Sequence, residues 1–125
     1  MITIQNQLRL LIVDDNIRAR GALAAYLSTL DGIHVSGEAS NGLEALAMLQ
    51  TQNADIVLMD ERTSGMGGLE IAQIMRLRWP DVKLIILAVF PDSRNKALSV
   101  GAAAFLMKGC SPDELTSTIR SVAAL

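Results

Sequence analysis

The sequence predicts an α/β fold: a five-stranded parallel sheet with helices on both faces. Three observations lead there. Short runs such as Ile56-Val57-Leu58-Met59 and Leu84-Ile85-Ile86-Leu87 are apolar without a polar break. Stretches with helical spacing stand between such runs. The two kinds alternate along the whole chain, joined by short links and with no low-complexity segment. A strand buried on both faces reads as a continuous apolar run. Alternation with amphipathic helices then implies a parallel sheet covered on both sides, with right-handed crossovers.

Taken in order, residues 1–7 read as a frayed N-terminus. Leu8 to Val13, interrupted only by Arg9, is a buried strand ending at Asp14-Asp15. From Asn16 the pattern turns helical. Ala19, Leu23, Tyr26, Leu27 and Leu30 share one face of a helix that stops at Asp31-Gly32. Ile33 to Glu38 is a short strand. Asn41, with Glu44 three residues on, is an N-cap pattern opening a helix with Leu43, Leu46 and Ala47 inward. Asp55 to Asp60 forms the central strand, followed by a glycine-rich loop. A helix from about Leu69 to Trp79 is ended by Pro80. Lys83 to Phe90 is the fourth strand. Pro91-Asp92 start a short helix stopped by Gly101, its apolar content (Ala97, Leu98, Val100) thin. Ala104 to Lys108 is the fifth strand. Ser111-Pro112-Asp113-Glu114 is a capping box with proline at the first helical position, and Leu115, Ile119, Val122 and Ala123 line one face of the helix it opens. Five strands in this sequence favour the flavodoxin-like order 2-1-3-4-5.

Length and composition narrow the function classes. At 125 residues the length prior gives one domain spanning residues 1–125. Such a chain buries roughly two-thirds of its unfolded surface. Only 3% of residues are aromatic, so the core must be Leu, Ile, Val, Ala and Met. A net charge of −2 provides no basic footprint for nucleic acid or an anionic membrane. The single cysteine, Cys110, excludes an intramolecular disulfide and suits a reducing cytoplasm. Neither a signal-peptide pattern nor an apolar run of ~20 residues is present, so the expectation is a soluble intracellular domain without membrane contact.

The chemistry sits at strand ends. In the predicted sheet the C-terminal ends of strands one, three, four and five share one edge, where α/β proteins place ligands. That edge carries Asp14 and Asp15, Asp60, Ala88 and Lys108. Three carboxylates cannot share a small site ionised unless a cation sits among them. Oxygen ligands without His or Cys point to Mg²⁺. A lysine opposite suits a phosphoryl group. Carboxylate nucleophile, hard cation and lysine together describe acyl-phosphate formation at an aspartate. The first strand is followed by no phosphate-binding glycine fingerprint, which argues against a nucleotide cofactor there.

Several segments carry a resemblance that covers essentially the full length. They are Leu11-Ile12-Val13-Asp14-Asp15, Gly37-Glu38-Ala39-Ser40-Asn41-Gly42, Leu58-Met59-Asp60, Gly68-Leu69-Glu70 and Gly101 to Lys108. With them the chain resembles the CheY-like receiver domain of two-component response regulators. The Ser111 to Leu115 segment is similar to the NarL/LuxR-type subfamily, whose receivers usually precede a DNA-binding domain. The resemblance implies that a histidine kinase phosphorylates Asp60. It implies that Asp15 holds Mg²⁺ directly, Asp14 largely through water, and the Arg62 carbonyl as a further ligand. Lys108 would contact the phosphoryl oxygens. It further implies a signalling domain rather than an enzyme, with at most self-phosphorylation from small donors and slow autodephosphorylation. Homodimers through the first and last helices are a further expectation. Nothing in the sequence resembles a helix-turn-helix, so contact with DNA is expected only through an effector domain outside it.

Three departures from the family pattern stand out. Ala88 occupies the place of a Thr or Ser whose hydroxyl bonds the phosphoryl group, a bond to a charged group generally worth ~1.5–3 kcal/mol. Thr63-Ser64 replaces the usual Met-Pro, removing a φ-locking residue. Gly67 stands where the family often has Asp. Ala88 and this loop motivate an alternative, a receiver-like interaction module whose output does not depend on phosphate. A small hydrolase is a third reading, disfavoured because no serine nucleophile motif or second acidic residue follows Asp60 at the needed spacing. Phe105 matches the family's switch aromatic and equally suits a buried strand position. Arg18 and Arg20 read as a solvated helix face, His34 as a sheet-edge residue, and Cys110 as an incidental thiol.

Overall fold

In the computed structural model, residues 7–62 and 67–125 are described. The elements run β1 (Leu8–Val13), α1 (Ile17–Leu27), β2 (Ile33–Ala39), α2 (Gly42–Leu49), β3 (Ile56–Asp60), α3 (Gly68–Arg78), β4 (Lys83–Ala88), α4 (Arg94–Ser99), β5 (Ala104–Met107) and α5 (Pro112–Ala123). All sheet pairings are parallel, in the order β2-β1-β3-β4-β5, the arrangement expected from the alternation. The frayed terminus expected for residues 1–7 falls, but for Gln7, outside the described residues.

Strand alternation divides the core into two layers. Leu10, Ile12, Ile56, Leu58, Ile85 and Leu106 pack with Leu27 of α1 and Leu115, Ile119 and Val122 of α5. The neighbouring residues Leu11, Val13, Val57, Met59, Leu84 and Ile86 pack on the other side with α2, α3 and α4. Every residue of β3 is buried, because strands flank it on both edges and helices cover both faces. The β1–β2 register slips between Leu10 and Leu11, so that Ser36 is passed over and Ala39 comes to lie opposite Val13. A bulge of this kind bends one strand and re-aims the residues beyond it.

Several helical faces differ from the sequence reading. In α2, Leu46 is buried but Leu43 is 55% exposed and Ala47 is also exposed; Gly42, Ala45 and Leu49 complete the inner face. The small residues Gly42 and Ala45 let this helix lie close, which rotates the contact face. Ala19 and Ala123 are exposed as well, leaving Leu23 and Leu27 in α1 and Leu115, Ile119 and Val122 in α5 to make the contact. The helix α1 ends at Leu27 rather than at Asp31, and Leu30 packs from the turn beyond it. The fourth strand ends at Ala88, leaving Val89 and Phe90 more than half exposed in the following loop.

Candidate functional site

Three strand ends build a pocket at the C-terminal edge of the sheet. After β1, the Asp14 N–H donates to Ala39 O at 3.1 Å, continuing the β1–β2 ladder by one residue. The Asp14 Oδ1 accepts the Asn16 N–H at 2.9 Å, and Asn16 in turn caps α1 by accepting from Arg18 and Ala19. Asp60 is the last residue of β3, and its Oδ1 accepts the Arg62 N–H at 3.1 Å. Lys108 follows β5, its N–H donating to Ala88 O at 2.6 Å. Gly109 then adopts φ +86°, a conformation other residues rarely take, and turns the chain toward α5.

The side chains converge. The Lys108 Nζ donates to Asp60 Oδ2 at 2.9 Å and to Asp14 Oδ2 at 3.1 Å. Burial works against the charged lysine, but the bonds to Asp60 and Asp14 outweigh it and raise its pKa. Asp14, Asp15 and Asp60 each offer a carboxylate oxygen, all within 4.8 Å of one another. Asp14 and Asp60 are buried, whereas Asp15 is exposed at the rim. Oxygen donors alone, crowded this closely, suit a hard divalent cation such as Mg²⁺ that keeps several waters. The donor set therefore fits the metal that the sequence implies.

The rim is tied across two loops. Arg62 lies over the Phe90 ring, its guanidinium carbon 5.4 Å from the centroid. The Ser93 hydroxyl donates to the Glu61 carboxylate, leaving the α4 N-terminus without a side-chain cap. Ala88, 1% exposed, brings no hydroxyl to the pocket. The substituted Thr63-Ser64 pair lies outside the described residues. Phe105 is 5% exposed and packs in the core under α4. His34 lies exposed on the edge strand β2.

Two groups outside the predicted set also border this region. Cys110 lines a cleft of about 260 Å³ beside Lys108, between α1 and α5. Burial and the nearby charge of Glu114 raise its thiol pKa, which keeps it protonated. Arg20 is not a solvated helix residue. Its side chain is only 14% exposed and bonds the Asp14 carbonyl at 2.8 Å and Glu38 at 3.1 Å. Arg18 is exposed, as expected.

Comparison with known proteins adds the relatives. The model of the response regulator receiver domain matches residues 10–120. The response regulator UvrY of Escherichia coli K12 is 39% identical over 117 residues, which is 92% of this chain and 54% of UvrY. The signal receiver domain of the response regulator NarL from Mycobacterium tuberculosis superposes with a TM-score of 0.89 at 27% identity, covering 95% of this chain and 98% of that one. The response regulator TrrA of Thermotoga maritima, solved in complex with Mg²⁺ and a beryllium fluoride, gives 0.84 at 31% identity, covering 93% and 99%. The chain spans about half the length of the curated relatives it matches.

Proposed function

This chain belongs to the response regulator receiver domain family of two-component systems, and from that premise we propose that it accepts a phosphoryl group on Asp60 from a histidine kinase. The observation that carries the reading is the meeting of Asp14, Asp60 and Lys108, with one ammonium bonded to both carboxylates. In the transfer, an Asp60 oxygen forms a bond to phosphorus while the P–N bond of a phosphohistidine breaks. The electron pair departs on the donor imidazole, which is protonated from solvent. Lys108 holds the Asp60 side chain toward the pocket mouth and then faces the phosphoryl oxygens. Asp14, Asp15, Asp60 and the Arg62 carbonyl are the residues that would hold Mg²⁺. When bound, that ion neutralises charge between the carboxylates and the phosphoryl oxygens. The Mg²⁺-beryllofluoride complex of TrrA, 31% identical, supports the same chemistry here.

The domain acts as a cytoplasmic switch rather than an enzyme. Its phosphoryl group alters contacts with a partner, with a second copy through α1 and α5, or with a DNA-binding effector region such as its longer relatives have room for. No helix among the described residues is long and apolar enough to cross a membrane. The test is titration with beryllofluoride followed by NMR. Mg²⁺-dependent shifts at Asp60, Arg62 and Lys108 are expected; an unchanged spectrum from folded protein refutes the reading.

One observation favours a second reading, a module whose output is independent of phosphate. It is Ala88, which ends β4 without a hydroxyl. If phosphate drives the switch weakly for this reason, Ala88→Ser enlarges the beryllofluoride response in α4. If output is phosphate-independent, Asp60→Ala leaves partner binding at its wild-type level.

A further inference from the structure

Arg20 lies among exposed neighbours on α1, with Ile17, Arg18, Ala19 and Gly21 all open to solvent. Its own side chain is turned away from solvent and spent on three acceptors. They are the Asp14 carbonyl oxygen at 2.8 Å, the Glu38 carboxylate at 3.1 Å and the Ser40 hydroxyl at 3.5 Å. The β1–β2 register shift makes this possible by setting Glu38 opposite Ile12 and Ala39 opposite Val13, immediately before the acidic turn. Both peptide groups flanking Asp14 are then bonded, its N–H to Ala39 and its C=O to Arg20. Asp15 makes no side-chain hydrogen bond among the described residues. Its direction is therefore inherited from the peptide that joins it to Asp14.

We infer that Arg20 is a positioning residue for the acidic pocket. It fixes the peptide between Asp14 and Asp15, and with it the spacing of their carboxylates around a divalent cation. The inference rests on the reading that these carboxylates hold such an ion. Only a planar fork of donors reaches all three acceptors at once, which a lysine cannot reproduce. Groups that orient metal ligands from behind carry a large share of metal affinity. Glu38 has a different part. It neutralises the guanidinium and steadies it, and among the described residues its carboxylate makes no hydrogen bond to the turn.

The experiment compares Arg20→Met, Arg20→Lys and Glu38→Gln in the whole chain. Mg²⁺ affinity is measured by calorimetry, and exchange of the Asn16 amide by NMR in EDTA. Thermal melting checks each fold. Arg20→Met should weaken Mg²⁺ binding about ten- to a hundredfold and expose the Asn16 amide to faster exchange. Arg20→Lys, which keeps the charge and loses the fork, should weaken it by an intermediate factor. Glu38→Gln keeps the bond to the Asp14 carbonyl and should bind Mg²⁺ near the wild-type level while melting earlier. Wild-type Mg²⁺ affinity in folded Arg20→Met overturns the inference. So does an equal loss in Glu38→Gln, which would make the ion pair mere support for β2. Absence of Mg²⁺ binding by the wild type would instead sink the reading of the pocket. The Asn16 amide then decides alone, unchanged exchange in Arg20→Met rejecting a role for Arg20 in the turn.

Discussion

Two carboxylates as buried as those of Asp14 and Asp60 repel one another unless a positive group stands between them, and the Lys108 ammonium bonds both. Replacing Lys108 with Met removes two charge-assisted bonds and leaves their acceptors facing each other. In EDTA, Lys108→Met should lose roughly 1.5–3 kcal/mol in urea denaturation, the usual worth of hydrogen bonds to charged groups. Mg²⁺ should then raise the urea midpoint more in the variant than in the wild type, because the ion takes over the neutralising part. Equal Mg²⁺-induced shifts in both proteins would contradict this account. The three residues were legible from sequence because strand ends in a parallel sheet share one edge, so position along the chain gave position in space. Arg20 was not. Nothing local separates it from Arg18, and its partner Glu38 arrives from another strand through a register slip that the residue pattern does not reveal.

At the scale of elements, the inner strands β1, β3 and β4 were readable to within a residue or two because burial on both faces leaves a nearly unbroken apolar run. Helical faces were less so, since the depth at which a helix sits depends on what it meets. The α2 helix shows why. A Cβ on Gly42 would collide with Ile71 Cγ1 and stand 2.6 Å from its Cδ1, and Ile71 is fully buried. That contact sets how closely α2 and α3 approach, and it turns Leu43 outward. Gly42→Ala should therefore cost about 1–3 kcal/mol, as overpacking a filled core does, despite the better helix propensity of alanine. A denaturation midpoint equal to wild type would show that α2 and α3 can separate freely.

The opposite end of the sheet offers a pH-dependent counterpart. Asp55, just before β3, accepts the Arg9 N–H at 2.8 Å and its guanidinium nitrogens at 3.3 Å, stapling β1 to β3. Burial alone would raise the Asp55 pKa, but the bonds from Arg9 outweigh it and hold the carboxyl below its ordinary value. A carboxyl depressed on folding contributes stability above its unfolded pKa of about 3.9, and that stability drains away as pH falls through the lower folded value. Asp55→Asn should thus be less stable than wild type at pH 7, by about 0.5–1 kcal/mol given the partial exposure of both partners. The gap should narrow as pH falls below the ordinary carboxylate range and the Asp55 carboxyl takes up its proton. A deficit that persists undiminished at low pH would assign the cost to geometry rather than charge.

Across the whole molecule the two layers over the sheet are unequal, and the inequality falls beside the pocket. On one face the Tyr26–Thr116 hydroxyl contact at 3.1 Å joins α1 to α5, Arg120 of α5 donates to Asp31 O in the turn after α1 at 3.2 Å, and α5 buries Leu115, Ile119 and Val122. On the other, α4 has six residues, buries only Ala97, lacks a side-chain cap and leaves Leu98 37% exposed. Segments with few buried apolar groups open at the lowest free energy. The Ala97 and Val100 amides, bonded to Ser93 O and Lys96 O, should therefore exchange faster than that of Ile119. A group added at Asp60 shifts a conformational equilibrium only where the two states differ by little free energy. The α4 segment meets that condition, and Glu61–Ser93 and Arg62–Phe90 tie it to the residues directly after Asp60. Beryllofluoride should accordingly move NMR signals from residues 89–100 while those of α1 and α5 helical cores stay in place. Protection in α4 equal to that in α5, or a response confined to α5, would locate the pliable part of the molecule elsewhere.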